Sequence, residues 1–124
     1  MTWRVTIRSG PKVDRLRFES LNEALDVVER RCREVEAKPP RRMVRVPMRS
    51  FTPSEQVAAR AEVAGPGRLF PSVRAGVDVR GDGSSEAWIG RTSRDLIDVE
   101  RGEDAYAALR RSLASTESSV SVDP

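Results

Sequence analysis

The chain has 124 residues, 38% apolar and 33% charged, which suits one globular domain with a single core and excludes a disordered or collagen-like chain. It has no histidine and one cysteine, Cys32, so His-based acid–base catalysis, Ser-His-Asp and Cys-His nucleophile systems, an intramolecular disulfide and a thiolate zinc site are all excluded. Net charge is +3 and uneven: residues 1–50 hold 13 basic and 7 acidic side chains, the remainder 9 and 12, and every basic residue except Lys12 and Lys38 is arginine.

Arginine favours bidentate contact with phosphate or carboxylate. A GC-rich genome would give the same ratio, and that explanation has more weight. No run approaches the roughly eighteen consecutive apolar residues of a membrane span. Residues 1–10 alternate polar and apolar side chains with no hydrophobic export core. The expectation is a cytoplasmic protein with no membrane partner.

Thr2 to Arg8 alternates, with Trp3, Val5 and Ile7 on one face and Arg4, Thr6 and Arg8 on the other. Ser9-Gly10-Pro11-Lys12 is a turn, and Val13 to Glu19 returns with Leu16 and Phe18 inward and Arg15, Arg17 and Glu19 outward. The spacing predicts a hairpin whose wet face carries Arg4, Arg8, Arg15 and Arg17. Ser20-Leu21-Asn22-Glu23 fits a capping box. Leu21, Leu25, Val28, Cys32 and Val35 then make one helical stripe, with Asp26–Arg30 and Glu29–Arg33 pairs on the wet face. Pro39-Pro40 ends that helix by Lys38. Cys32, lying within the apolar stripe, is expected to be an inert core thiol.

Residues 39–53 are densely basic. Val44, Val46 and Met48 alternate with Arg45 and Arg49, which predicts one short strand that Pro47 confines to a sheet edge. Together with Arg41 and Arg42 this segment could meet phosphate. A strand edge made repulsive by charge and proline is the commoner explanation.

Gln56 to Glu100 reads as a three-stranded antiparallel meander. Val57, Ala59, Ala61 and Val63 share a face opposite Arg60 and Glu62. Val73, Ala75, Val77 and Val79 then alternate with Arg74, Asp78 and Arg80. Gly65-Pro66-Gly67 and Gly81-Asp82-Gly83-Ser84 are the turns. The outgoing strand carries Trp88 and Ile89 and continues or resumes at Leu96, Ile97 and Val99. Gly102-Glu103-Asp104 opens a second helix with Tyr106, Leu109 and Leu113 on its apolar face, acids in its first turn and Arg110 and Arg111 in its last. Residues 1–114 therefore read as a single α+β domain: a mostly antiparallel sheet of about five to six strands with two amphipathic helices packed on it, in the order β-β-α-β-β-β-β-α. Residues 115–124, rich in Ser, Thr and acids, read as a disordered tail.

The motifs carry little chemistry. Arg80-Gly81-Asp82 is a hairpin-turn tripeptide. Asp78, Asp82 and Glu86 fit no calcium-loop spacing, so no metal is expected. Gly65-Pro66-Gly67-Arg68 lacks the Gly-Lys-Ser/Thr of a phosphate-binding loop, and Ser84 and Ser85 have no base beside them. No cofactor is expected. Trp3 and Tyr106 fall on core faces, whereas Trp88 is exposed if Ile89 is buried, and it would then be the best single binding residue. A hairpin followed by Phe18-Glu19-Ser20-Leu21-Asn22-Glu23-Ala24 and a helix is loosely similar, over residues 2–36, to the arm-type DNA-binding domains of phage integrases. Those domains place three strands before the helix where this chain has two, and the pattern is generic to hairpin–helix units.

The favoured function is a non-enzymatic binding module whose partner is another protein or a copy of itself, met through a sheet edge or a Trp88 patch. The alternative is nucleic-acid binding through Arg4, Arg8, Arg15 and Arg17 on the hairpin and Arg41, Arg42, Arg45 and Arg49 on the edge segment. A small carboxylate enzyme comes third. Clustering of the arginines on one surface favours nucleic acid, and convergence of two carboxylates in a deep pocket favours the enzyme.

Overall fold

The computed structural model describes residues 2–38, 44–46, 49–51, 57–66, 73–90 and 94–121. The hairpin forms as β1 (Trp3–Ser9) and β2 (Lys12–Phe18), turned by Gly10 at a φ of 59°. Ser20 caps α1 (Leu21–Glu36), its Oγ accepting the Glu23 amide at 3.1 Å. Then come β3 (Val44–Val46), β4 (Arg49–Phe51), β5 (Val57–Ala64), β6 (Arg74–Arg80), β7 (Ser85–Ile89), β8 (Asp95–Leu96) and α2 (Ala105–Ser121). The fold is α+β. One antiparallel sheet of six strands runs β2-β1-β5-β6-β7-β8, with two helices.

Alternation sets the faces. Trp3, Val5, Ile7, Ala59, Ala61, Val63, Ala75, Val77, Val79 and Ala87 form the floor of a core roofed by Leu25, Val28 and Cys32 of α1 and by Tyr106, Leu109 and Leu113 of α2. Alanines at the sheet centre let the larger helix side chains come close, as interior packing requires. α1 lies over β1, β2, β5 and β6, and α2 over β6 and β7. Both helices cover the same face. Among the described residues the opposite face has no helical cover.

Four local expectations are corrected. The basic segment is a separate two-stranded ribbon, β3 paired with β4, and Arg45 faces Ser50 in register while Arg49 faces Val46. Among the described residues it is not an edge strand of the main sheet: β3 and β4 satisfy one another's backbone groups. Val57 leaves the core face and is 40% exposed, because an irregularity between Val57 and Ala59 adds one residue to β5 and reverses the side on which Val57 emerges. α2 continues to Ser121, past the expected tail boundary at 114. No glycine or proline interrupts residues 115–121, and extending a formed helix is far easier than starting one. Arg110 and Arg111 therefore sit mid-helix. Lastly, Asp26 bonds Arg110 of α2 at 2.8 Å, not Arg30, whereas the Glu29–Arg33 pair forms at 2.8 Å. Among the described residues no helix is long and apolar enough to cross a membrane.

Candidate functional site

The uncovered sheet face is built from the polar positions of each strand. Register places Arg17 opposite Arg4, Arg15 opposite Thr6 and Val13 opposite Arg8. Arg8 then neighbours Arg60, which neighbours Asp78, which neighbours Glu86, so one row crosses four strands. With about 5 Å between strands and about 7 Å between alternate residues of one strand, Arg4, Arg8, Arg15 and Arg17 share a single patch. All four are exposed. Among the described residues none of the four makes an ion pair.

The arginines of the other strands behave differently. Arg74 Nε lies 2.7 Å from Glu62 Oε1, and Arg80 NH2 lies 2.9 Å from Glu86 Oε2. Asp78, only 6% exposed, is the hub of the rest. Its Oδ1 accepts from Arg60 Nε at 2.8 Å and from the Trp88 indole at 3.2 Å. Its Oδ2 accepts from Arg60 NH2 at 3.1 Å and Arg94 NH1 at 3.0 Å. A buried carboxylate requires such partners. Among the described residues the face is thus divided, with compensated charge on β5–β7 and uncompensated positive charge on β1–β2.

Trp88 corrects an expectation. It does project opposite Ala87 and Ile89, yet it is only 3% exposed. Its ring lies against Gly76, whose missing side chain leaves the space, and the Arg94 guanidinium stands over it at 5.8 Å. Alternation predicts which side of a sheet a residue takes and is silent on what else lies there. Gly76 within a strand was the available signal, since such glycines mark close approach.

Beside this hub is a groove of about 390 Å³. Its apolar lining is Val57 on β5 and Leu96 on β8, Leu96 being 65% exposed, and the rest of the lining is Arg60, Asp78, Arg80, Glu86, Trp88 and Arg94. Two carboxylates do meet here, but both Asp78 oxygens are occupied by donors and Glu86 is held by Arg80. Asp82 turns instead to its own loop, accepting from the Ser84 amide and hydroxyl, which hold its carboxyl below the usual range. Among the described residues no group of three or more His, Cys, Asp or Glu is placed to hold a metal ion.

The covered face holds a second polar cluster that the sequence reading missed. Tyr106 Oη donates to Glu36 Oε2 at 2.7 Å and Ser85 Oγ donates to Glu36 Oε1 at 3.0 Å, joining α1, β7 and α2. Arg33 stacks on the Tyr106 ring at 4.7 Å. Burial, reinforced by Glu36, pushes the Tyr106 phenol upward. Burial, then the Glu36 and Asp78 charges, pushes the Cys32 thiol up to about 12. Of the remaining predicted contacts, Arg41 and Arg42 lie outside the described residues, and Arg45 and Arg49 lie on the separate ribbon. No family model, curated protein or solved structure matches the chain.

Proposed function

We propose that the protein is a non-enzymatic nucleic-acid-binding module that meets phosphate with the β1–β2 end of its uncovered sheet face. The observation that carries this reading is the patch of Arg4, Arg8, Arg15 and Arg17, exposed and without ion pairs among the described residues, with Arg4 and Arg17 directly opposed across the hairpin. Like charges directly opposite weaken a strand pair. The other arginines of this face have carboxylate partners, so the hairpin patch departs from the pattern of its own sheet. A polyanion supplies the missing counter-charge, and four guanidiniums on a firm hairpin hold their forks ready for phosphate oxygens.

The test is a fluorescence-anisotropy titration with random DNA and RNA at low and at physiological salt. Binding with a steep log–log salt slope is expected. Changing Arg4, Arg8, Arg15 and Arg17 to Ala should weaken binding and flatten the slope by about 3, at 0.7–0.9 per phosphate contact. Absence of binding at low salt overturns the reading.

A second reading has one observation of its own. β2 is an outer strand of 7 residues, and its outer edge, unpaired among the described residues, offers backbone groups to a strand from a protein partner or a second copy. Light scattering of the free protein tests the self-associating form. A concentration-dependent dimer would favour it.

A further inference from the structure

We infer that the groove beside Trp88 is a subsite for one unpaired nucleobase, which makes the preferred ligand of this face a single strand. The inference rests on the nucleic-acid reading and adds to it a ligand class and a second contact region. Three observations converge. The groove, about 390 Å³, is within the size range of small-molecule sites. It presents exposed apolar side chains at its two sides, Val57 on β5 and Leu96 on β8, together with the guanidinium of Arg94, a flat surface of the kind on which bases stack. The Arg80–Glu86 pair lines the groove as well, and beyond the one bond between them the remaining Arg80 N–H groups and the Glu86 Oε1 can donate to and accept from the edge of a ring.

Position supplies the rest. Arg8 of the hairpin patch is directly beside Arg60, and Arg60 borders the groove. Three strand spacings, roughly 14–15 Å, separate β1 from β7. An extended strand of nucleic acid crosses that span in two to three nucleotides. Its phosphates would lie on the arginine patch and the following base would turn down into the groove. A duplex keeps its bases stacked and paired, so it reaches the arginines and leaves the groove empty.

The experiment compares single-stranded and duplex oligonucleotides of equal length by anisotropy, using the full chain and a Val57→Ala/Leu96→Ala double variant. Both side chains are substantially exposed, so the variant keeps its fold, and it changes no charge. The expected result is tighter binding of the single strand, an approximately tenfold loss of that binding in the double variant, unchanged duplex binding and an unchanged salt slope. Equal binding of both ligands with no effect of the double variant overturns the subsite and leaves the arginine patch standing. No binding of either ligand overturns both.

Discussion

The Trp88 indole on β7 packs over Gly76 on β6, its directly paired neighbour, and a Cβ on Gly76 would come within 2.8 Å of Trp88 Cζ2 and closer still to the Ala61 carbonyl oxygen. One of those neighbours is backbone and cannot swing aside. Gly76→Ala should therefore destabilise the protein by about 2–3 kcal/mol through overpacking, measured as a shifted urea midpoint with unchanged slope. Near-UV circular dichroism should change as the indole is displaced. A variant as stable as the parent would show that neither the Ala61 carbonyl nor Trp88 stands this close to Gly76.

Asp78 holds two arginines unequally. Arg60 grips it with two bonds, of 2.8 and 3.1 Å, with a side chain 33% exposed; Arg94 makes one bond of 3.0 Å with a side chain 47% exposed. Removing Arg60 leaves a buried carboxylate with its best partner gone, so Arg60→Ala should cost about 3 kcal/mol. Arg94→Ala should cost about 1 kcal/mol or less, since solvent replaces much of what an exposed guanidinium supplies. In an Asp78→Asn background the Arg60 effect should shrink strongly, the signature of direct coupling. Equal costs for the two arginines would contradict the assigned hub.

Much of this fold was legible because it depends on local periodicity. Trp3, Val5 and Ile7 alternate with Arg4, Thr6 and Arg8, and β1 buries and exposes them as that pattern requires. Ser20 and Glu23 mark the start of α1, and the Ser20–Glu23 bond is present. The exposed arginine patch was legible for the same reason, since face and register follow from a tight hairpin. The Asp78 hub was not. It joins Arg60 and Asp78 across a long connection, recruits Arg94 from beyond β7, and depends on Gly76 to admit an indole. Each is a relation between distant positions. Val57 was misplaced by one extra residue, because a bulge shifts side-chain phase without any mark in composition.

Acid should loosen the α2 entry, the β2–α1 contact and the β6–β7 loop together. Hydrogen bonds and salt bridges hold Asp14, Asp82, Glu103 and Asp104 below their usual range, led by Arg31, the Ser84 hydroxyl, Arg111 and the Ala107 amide respectively. With folded values depressed, the unfolded chain binds more protons as pH falls, so this stability is complete above about pH 5 and is lost below it. Urea midpoints measured from pH 7 to pH 3 should be flat and then fall. Asp104→Asn keeps a capping oxygen for Ala107 while removing the charge, and should reduce the acid-dependent part. A midpoint constant down to pH 3 would sink this account.

Cys32 should be chemically silent in the native protein. It is 1% exposed, and burial first, then Glu36 and Asp78, moves its thiol from 9.0 up to about 12. The reactive thiolate is therefore scarce at pH 8, so alkylation by iodoacetamide should be very slow until urea unfolds the chain. Linkage gives the alkaline counterpart. The folded value is raised, so the unfolded chain loses its proton first; the contribution is intact below about pH 9 and disappears as pH rises towards 12. Tyr106, also displaced upward by burial, acts in the same direction. Stability should therefore decline above about pH 9, and Cys32→Ala should soften that decline at the cost of a small cavity. Native-state alkylation at the rate of a free thiol would place Cys32 outside the core and overturn both expectations.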